Sequence, residues 1–333
     1  MNISVKKIET PFTKMLNIQF PIIGAPMFLV SNVDMVVAIS EAGGIGTFPT
    51  LNYRPTENFE SALKEIKART KKPVGINIIV NKSNVRAKSD LKAALDNGVE
   101  LFITSLGSPK DVIMDAHKNG AKVICDVINL EHAKKVQDLG ADGVIAVSAG
   151  AGGHAGPISP IVLVSWLQKK LAIPVIAAGG IADGATMASM LTLGAAAVSV
   201  GTRFIACSEA TIDDRYKNAI LSSTPEDIVL TKRLSGTAAS VINTEYIQKM
   251  GLDLPWYFRI LKDQSLTKKY IVPLIHFLGS KSLEEAATGP SWKTVWSAGQ
   301  SVGLINDILP CAKIMENFIR EYEAALDTVP RLR

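Results

Sequence analysis

The chain has 333 residues, 47% of them hydrophobic and 20% charged, with a formal net charge of +5. Such a balance describes a folded protein with a sizeable core and excludes a disordered chain. Its lysines are scattered along amphipathic segments without a basic stripe or motif, and aromatic residues reach only 6%, so nucleic acid is excluded as a partner.

Short apolar runs alternate with longer amphipathic segments. Strands of a parallel sheet read as continuous apolar runs, because helices cover the outer face. Eight such runs occur, at 21–27, 44–50, 73–80, 99–107, 121–128, 143–151, 174–180 and 196–202. Between the first two, Ser31 and Asn32 are capping residues for a helix through Ala42, which Gly43 and Gly44 end. Residues 57–70 carry apolar side chains at helical spacing. SDLKAALDNG, SPKDVIMDAHKNG, LEHAKKVQDLG and DGATMASMLTLG each close on glycine, the residue that takes the left-handed position after a helix without penalty.

Evenly spaced strand–helix units predict an α/β fold, a closed (β/α)8 TIM barrel, in preference to an open doubly wound sheet. Residues 204–222 read as helical. Residues 223–291 lack clean strand periodicity and predict a mainly helical insertion capping the barrel mouth. The barrel then comprises 1–222 and 292–333, ending in two helices broken near Pro310, where the amide ladder cannot continue.

The segment AVSAGAGGHAGPISP (146–160) follows the sixth strand and sets glycines from Gly150 to Gly156 around His154. Barrel enzymes build their sites at the carboxyl ends of strands, which makes His154 the candidate catalytic residue. His117 and His132 lie in polar helical patterns, and His276 falls in the insertion. AAGGIADG (177–184) and VGTRF (200–204) are strands running into glycine turns, whose backbone N–H groups suit a phosphate near Gly179, Gly180, Gly201 and Thr202. Asn77 is a polar amide inside an apolar strand, and either a ligand contact or an internal hydrogen bond accounts for it.

Cys125, Cys207 and Cys311 are far apart and without metal-ligand spacing, so no metal site or disulfide scaffold is expected, and a reducing, cytoplasmic compartment is. The amino terminus lacks a signal-peptide apolar run, and no stretch approaches the ~18 apolar residues of a membrane span.

The motifs GAPM, EAGGIGTF, PVGINIIV, AGGHAG, PVIAAGGIADG, VGTRF and WSAGQSVGLI stand in the order found in nitronate monooxygenases. The same order describes FMN-dependent enoyl-acyl-carrier-protein reductases of that superfamily, and the resemblance spans residues 16–208 and 292–320. It implies an FMN whose phosphate and ribityl chain lie near Gly152, Gly179, Gly180, Gly201 and Thr202. Ala25, Pro26 and Met27 would face the flavin ring, Asn77 would join the contacts, and the SAGQ segment ending in Gln300 would close over the cofactor. His154 aligns with the family's active-site histidine.

The implied reaction is oxidation of an alkyl nitronate to a carbonyl compound and nitrite with O2. The alternative is reduction of an enoyl thioester or a quinone, with NAD(P)H as second cofactor. Either reading has a small-molecule substrate, no nucleic-acid or membrane partner, and leaves a homodimer open. The chain departs from relatives at Gly150, where many carry an acid, at Asp126, where some carry lysine, and at Val147, where others carry glutamine.

Overall fold

In the computed structural model, which describes residues 7–81, 83–234, 237–253 and 295–328, the strands in chain order are β1 (Ile22–Gly24), β2 (Ile45–Pro49), β3 (Gly75–Ile79), β4 (Leu101–Ser105), β5 (Lys122–Val127), β6 (Gly143–Val147), β7 (Gly153–His154), β8 (Val175–Ala178), β9 (Ala197–Val200), β10 (Ile228–Thr231) and β11 (Ala239–Ile242). Eight of these close into a parallel barrel in the order β1-β2-β3-β4-β5-β6-β8-β9, with β9 pairing back onto β1. These are the runs read from the sequence, so the expected (β/α)8 architecture holds.

Alternation along each strand divides the core in two. Ile22, Phe48, Ile76, Phe102, Val123, Val144, Ala177 and Val198 point outward beneath the helices. Ile23, Ile45, Leu101, Ile103, Ile124, Ile145, Ile176 and Ala197 point inward and fill the barrel together with Phe12, Leu16 and Ile18. The amino-terminal helix Pro11–Leu16 and the turn after it thus plug the barrel interior. Burial of each such side chain contributes about 1.5–3 kcal/mol.

Asn32 caps the helix Val33–Glu41 by accepting the Met35 amide hydrogen bond at 2.9 Å, as the sequence predicted. The last helix, Cys311–Thr328, starts directly after Pro310 and packs on the helix Gly184–Thr192. A Cβ at Gly184 would stand 2.2 Å from the Phe318 carbonyl oxygen and the Tyr322 nitrogen, so only glycine permits this approach.

Three expectations change. Residues 204–222 form two helices, Thr202–Ile205 and Asp214–Ser222, separated where Asp213 caps the second. Before Pro310 the chain makes a 3-10 turn, Gln300–Leu304, in place of an α-helix. The start of the insertion, expected to be helical, contains the antiparallel pair β10–β11 before a short helix, Glu245–Met250. Local periodicity missed β11 because it is buried throughout and its second partner is β7, remote in sequence. Most of the remaining insertion, including His276, lies outside the described residues. Among those described, no helix is long and apolar enough to cross a membrane.

Candidate functional site

The inward alternation continues past the apolar filling. One step beyond Ile23, Ile45, Ile103, Ile124, Ile145, Ile176 and Ala197 come Ala25, Thr47, Ser105, Asp126, Val147, Ala178 and Ser199, and Asn77 holds the same position on β3. They form the floor of the mouth at the strands' carboxyl ends, where barrel sites lie. Its polar arc is a directed hydrogen-bond chain. The Asn77 amide donates to the Ile103 carbonyl at 3.2 Å and to Ser105 Oγ at 2.8 Å, and Ser105 Oγ donates to Asp126 Oδ2 at 2.5 Å. Of the two readings left open for Asn77, the internal hydrogen bond is the one present, made from its place in the floor.

Burial pushes the Asp126 carboxyl up to about 6, although the Ser105 hydroxyl favours its charged form. The folded state therefore holds this proton more tightly than the unfolded chain. That stabilisation is complete below the unfolded value of 3.8 and is lost as pH rises through about 6. Asp126→Asn removes the loss. The expected result is a higher Tm near pH 8, by the equivalent of about 1–3 kcal/mol, and no gain near pH 3.5. Calorimetry of the two proteins at both pH values checks it, and an equal gain at both would remove the titration as the cause.

His154 forms β7 with Gly153. β11 pairs antiparallel with this strand, Ala239 opposite His154 and Ser240 opposite Gly153. The hairpin thereby fixes the histidine loop from above. Gly156 returns the loop to the barrel, where a Cβ would stand 2.5 Å from the Val147 carbonyl oxygen and 3.0 Å from Ile128 Cβ. Gly156, two residues after His154, thus rests against the end of β6 and Ile128 just past β5, the side that carries Asp126. His154 is exposed to solvent, and the partial desolvation of its ring lowers the imidazole pKa and so favours the neutral form.

The other side of the mouth is built from backbone. Gly179 and Gly180 take φ of +106° and +77°, a region that side chains disfavour. Gly180 N–H donates to the Gly150 carbonyl at 3.2 Å. Among the described residues, the amides of Gly179, Gly201 and Thr202 donate to no protein acceptor. The nearest side-chain atoms to a Cβ at Gly201 would be Ala25 Cβ and Met27 Sδ, both at 3.7 Å, which brings the GAPM turn beside VGT. That turn is pinned, with Ala25 N–H on the Val200 carbonyl at 2.9 Å and Ser31 Oγ bridging the Met27 amide and the Ala25 carbonyl.

The segment before the 3-10 turn closes this side. Gly299 N–H donates to Thr202 Oγ1 at 3.0 Å, and Tyr216 donates its phenolic hydrogen to the Ser297 carbonyl while stacking on Trp296. Ala298 and Gly299 lie directly against Gly150 and Gly152, and Gln300 is exposed at the start of the turn. The sequence-derived residues Ala25, Pro26, Met27, Gly152, Gly179, Gly180, Gly201 and Thr202 therefore converge, and Ala298 and Gly299 join them more closely than Gln300.

Cys207 and Cys311, separate in sequence, also meet. Their sulfurs and the Glu209 carboxylate lie within 4.8 Å of one another, against the expectation of scattered thiols. Glu209 accepts the Cys311 amide at 2.9 and 3.0 Å, tying the last helix to the end of the barrel.

The nitronate monooxygenase family model matches residues 9–95 and 83–321, nearly the whole chain. The chain belongs to the nitronate monooxygenase family. Among its relatives, a Rhodococcus jostii protein named (3aS,4S,5R,7aS)-5-hydroxy-7a-methyl-1-oxo-octahydro-1H-indene-4-carboxyl-CoA dehydrogenase is 28% identical, covering 98% of this chain and 99% of its own. A Pseudomonas aeruginosa nitronate monooxygenase is 29% identical over 93% and 98% of the two chains. The structure of FabK from Thermotoga maritima superposes with a TM-score of 0.81 at 31% identity, covering 96% of this chain and 98% of that one. The protein is thus an oxidoreductase of a flavin-dependent family, and its barrel is the family's barrel.

Two site features escaped the sequence. The Asn77–Ser105–Asp126 chain joins three strands, and only alternation counted from the inward isoleucines would have placed the three on one floor. The hairpin over His154 depends on a pairing between segments far apart in sequence and has no local signal.

Proposed function

We propose that the protein is an FMN-dependent oxidoreductase that converts alkyl nitronates to a carbonyl compound and nitrite with O2. The observation that carries this reading is a neutral-leaning imidazole held by a hairpin over the open mouth of a nitronate monooxygenase barrel. FMN, when bound, supplies the redox chemistry. The cradle fits its phosphate: three backbone N–H groups, of Gly179, Gly201 and Thr202, lack protein acceptors among the described residues. Ala25, Pro26 and Met27 would lie along the ring, with Gly152 and Gly180 near the chain to the phosphate and Asn77 below. Gln300 would contribute through its backbone position in the closing segment.

His154 takes the carbon-bound proton of a neutral nitroalkane at a ring nitrogen, or donates to the oxygens of a nitronate already ionised. The floor holds the reacting carbon above the strand ends, and the closing segment keeps bulk water from the cradle.

A second reading, hydride exchange between NAD(P)H and an acyl thioester, is favoured by the end-to-end match to a relative named as a CoA-thioester dehydrogenase. Anaerobic stopped-flow absorbance with propyl nitronate, NADH and NADPH in separate syringes decides between them. Flavin reduction by the nitronate alone supports the first reading. Reduction only by a nicotinamide replaces it with the second.

Gly201→Ala tests the phosphate position. A Cβ there meets nothing closer than 3.7 Å and φ is −104°, so the apo-protein should keep its Tm. Flavin affinity should fall by roughly tenfold or more, because the methyl would intrude on the ligand. Unchanged flavin retention would move the phosphate elsewhere.

A further inference from the structure

We propose that Cys207, Glu209 and Cys311 form a binding site for a thiophilic divalent cation of the zinc class, which ties the last helix to the end of the barrel. The inference is independent of the reaction at the mouth.

Each ligand is held by its own backbone. Cys207 stands just after the helix Thr202–Ile205 and forms a parallel bridge with Leu309, so the two segments run side by side. Ser208 N–H extends that pairing by donating to the Leu309 carbonyl at 3.1 Å. Cys311 opens the helix Cys311–Thr328, and the Glu209 carboxylate holds its amide at 2.9 and 3.0 Å. Asn32 fixes the same turn from the other side, its side-chain amide donating to the Glu209 carbonyl at 2.8 Å and to Thr211 Oγ1 at 3.1 Å. Two thiols and a carboxylate therefore converge, one ligand atom of each within 4.8 Å of the others. No other group of three histidine, cysteine or acidic side chains does so among the described residues.

Donor set and spacing both suit such a cation. Zinc takes thiolate sulfur at about 2.3 Å and carboxylate oxygen at about 2.0–2.2 Å, in a tetrahedron whose ligand atoms lie roughly 3.5–3.8 Å apart. Closing the present cluster to that size takes shifts of about 1 Å, within reach of side-chain rotation. Both cysteines are fully buried, whereas Glu209 is half-buried beside the exposed Ser208. The cluster thus opens to solvent on its carboxylate side, where a cation enters and water takes the fourth position.

The surroundings favour a thiolate. The amides of Glu209 and Ala210 and the Cys311 thiol all donate to Cys207 Sγ. On binding, two sulfur–metal bonds replace two S–H bonds and both protons leave to solvent, with nothing oxidised or reduced. The Cys311 amide stays on one Glu209 oxygen and orients the other toward the ion, as outer-shell donors do. No ligand spacing announces the site in the sequence, because Cys311 is remote from Cys207 in the chain.

The test uses the reduced, flavin-loaded protein in metal-free buffer near pH 7, with Co2+ and then Zn2+ as probes. Co2+ should bind as one equivalent and develop the absorption of tetrahedral, thiolate-ligated cobalt to the red of the flavin band, which Zn2+ should bleach. Calorimetry with Zn2+ in buffers of different ionisation heat should report about two protons released per ion, and Tm should rise with Zn2+. Cys311→Ser should lose the cobalt absorption. Glu209→Gln keeps an oxygen for the Cys311 amide and should bind about tenfold or more weakly. This second variant carries the test if Cys311→Ser does not fold.

A wild type that never develops the cobalt absorption would overturn the proposal, as would an absorption that both variants keep at wild-type affinity. Zn2+ binding without proton release would place the ion on other side chains and overturn it equally.

Discussion

Replacing His154 by alanine lowers turnover of a neutral nitroalkane by roughly 10²–10⁴-fold and leaves the flavin bound. The size follows from the role. A positioned base removes a carbon-bound proton, and without it only water is available at the same place. The imidazole is suited to this because partial desolvation lowers its pKa, which favours the neutral ring that can accept a proton. The acid limb of the pH–rate profile should accordingly lie below that of an ordinary imidazole and vanish in the variant. Flavin retention is expected because His154 reaches the mouth from β7, while the glycine cradle lies on β8, β9 and the closing segment. Steady-state rates on nitroethane and on its preformed anion, with flavin content measured alongside, check both parts. An unchanged rate on the neutral substrate would take the base role from His154.

Gly299→Ala has the second large effect, on cofactor binding. Its φ of −96° is open to any residue, so the substitution carries no backbone penalty and its effect is steric. The added Cβ would stand 2.3 Å from the Gly150 carbonyl oxygen and 2.9 Å from the Gly152 nitrogen. Both are backbone atoms in the loop that precedes His154, and neither can rotate away. The closing segment must lift, and the buried hydrogen bond from Gly299 N–H to Thr202 Oγ1 breaks with it. An unmade buried hydrogen bond alone costs about 1–3 kcal/mol, or up to about a hundredfold in an affinity coupled to closure. Equilibrium dialysis of flavin against the variant should show that weakening. A variant with wild-type flavin affinity would show that the segment does not close the cradle.

His154 and Gly299 differ in how far the sequence alone reveals them. The glycines of the cradle were legible because each follows an apolar run at a strand's carboxyl end. His154 stood out as the histidine between glycines at such an end, whereas His117 turned out to pair with Asp142 at 2.7 Å on the outside of the barrel. Asp126 was visible only as a departure from relatives. Its meaning waited on β3, β4 and β5 lying side by side, since Asn77, Ser105 and Asp126 are distant in the chain. Gln300 was placed in the closing segment correctly in sequence, but the turn sends it outward and leaves Ala298 and Gly299 against the loop.

By itself the sequence determined the barrel, because each strand–helix unit has its own local pattern. Apolar runs mark strands buried on both faces, and glycines mark the helix ends. It also determined the family, since motif order survives where overall identity falls. The tertiary structure alone decided the polar floor, the hairpin that holds His154, the clasp of Thr202 on Gly299, and the meeting of Cys207 with Cys311. Each of these is a contact between segments remote in the chain, and such contacts leave no periodic trace in either partner.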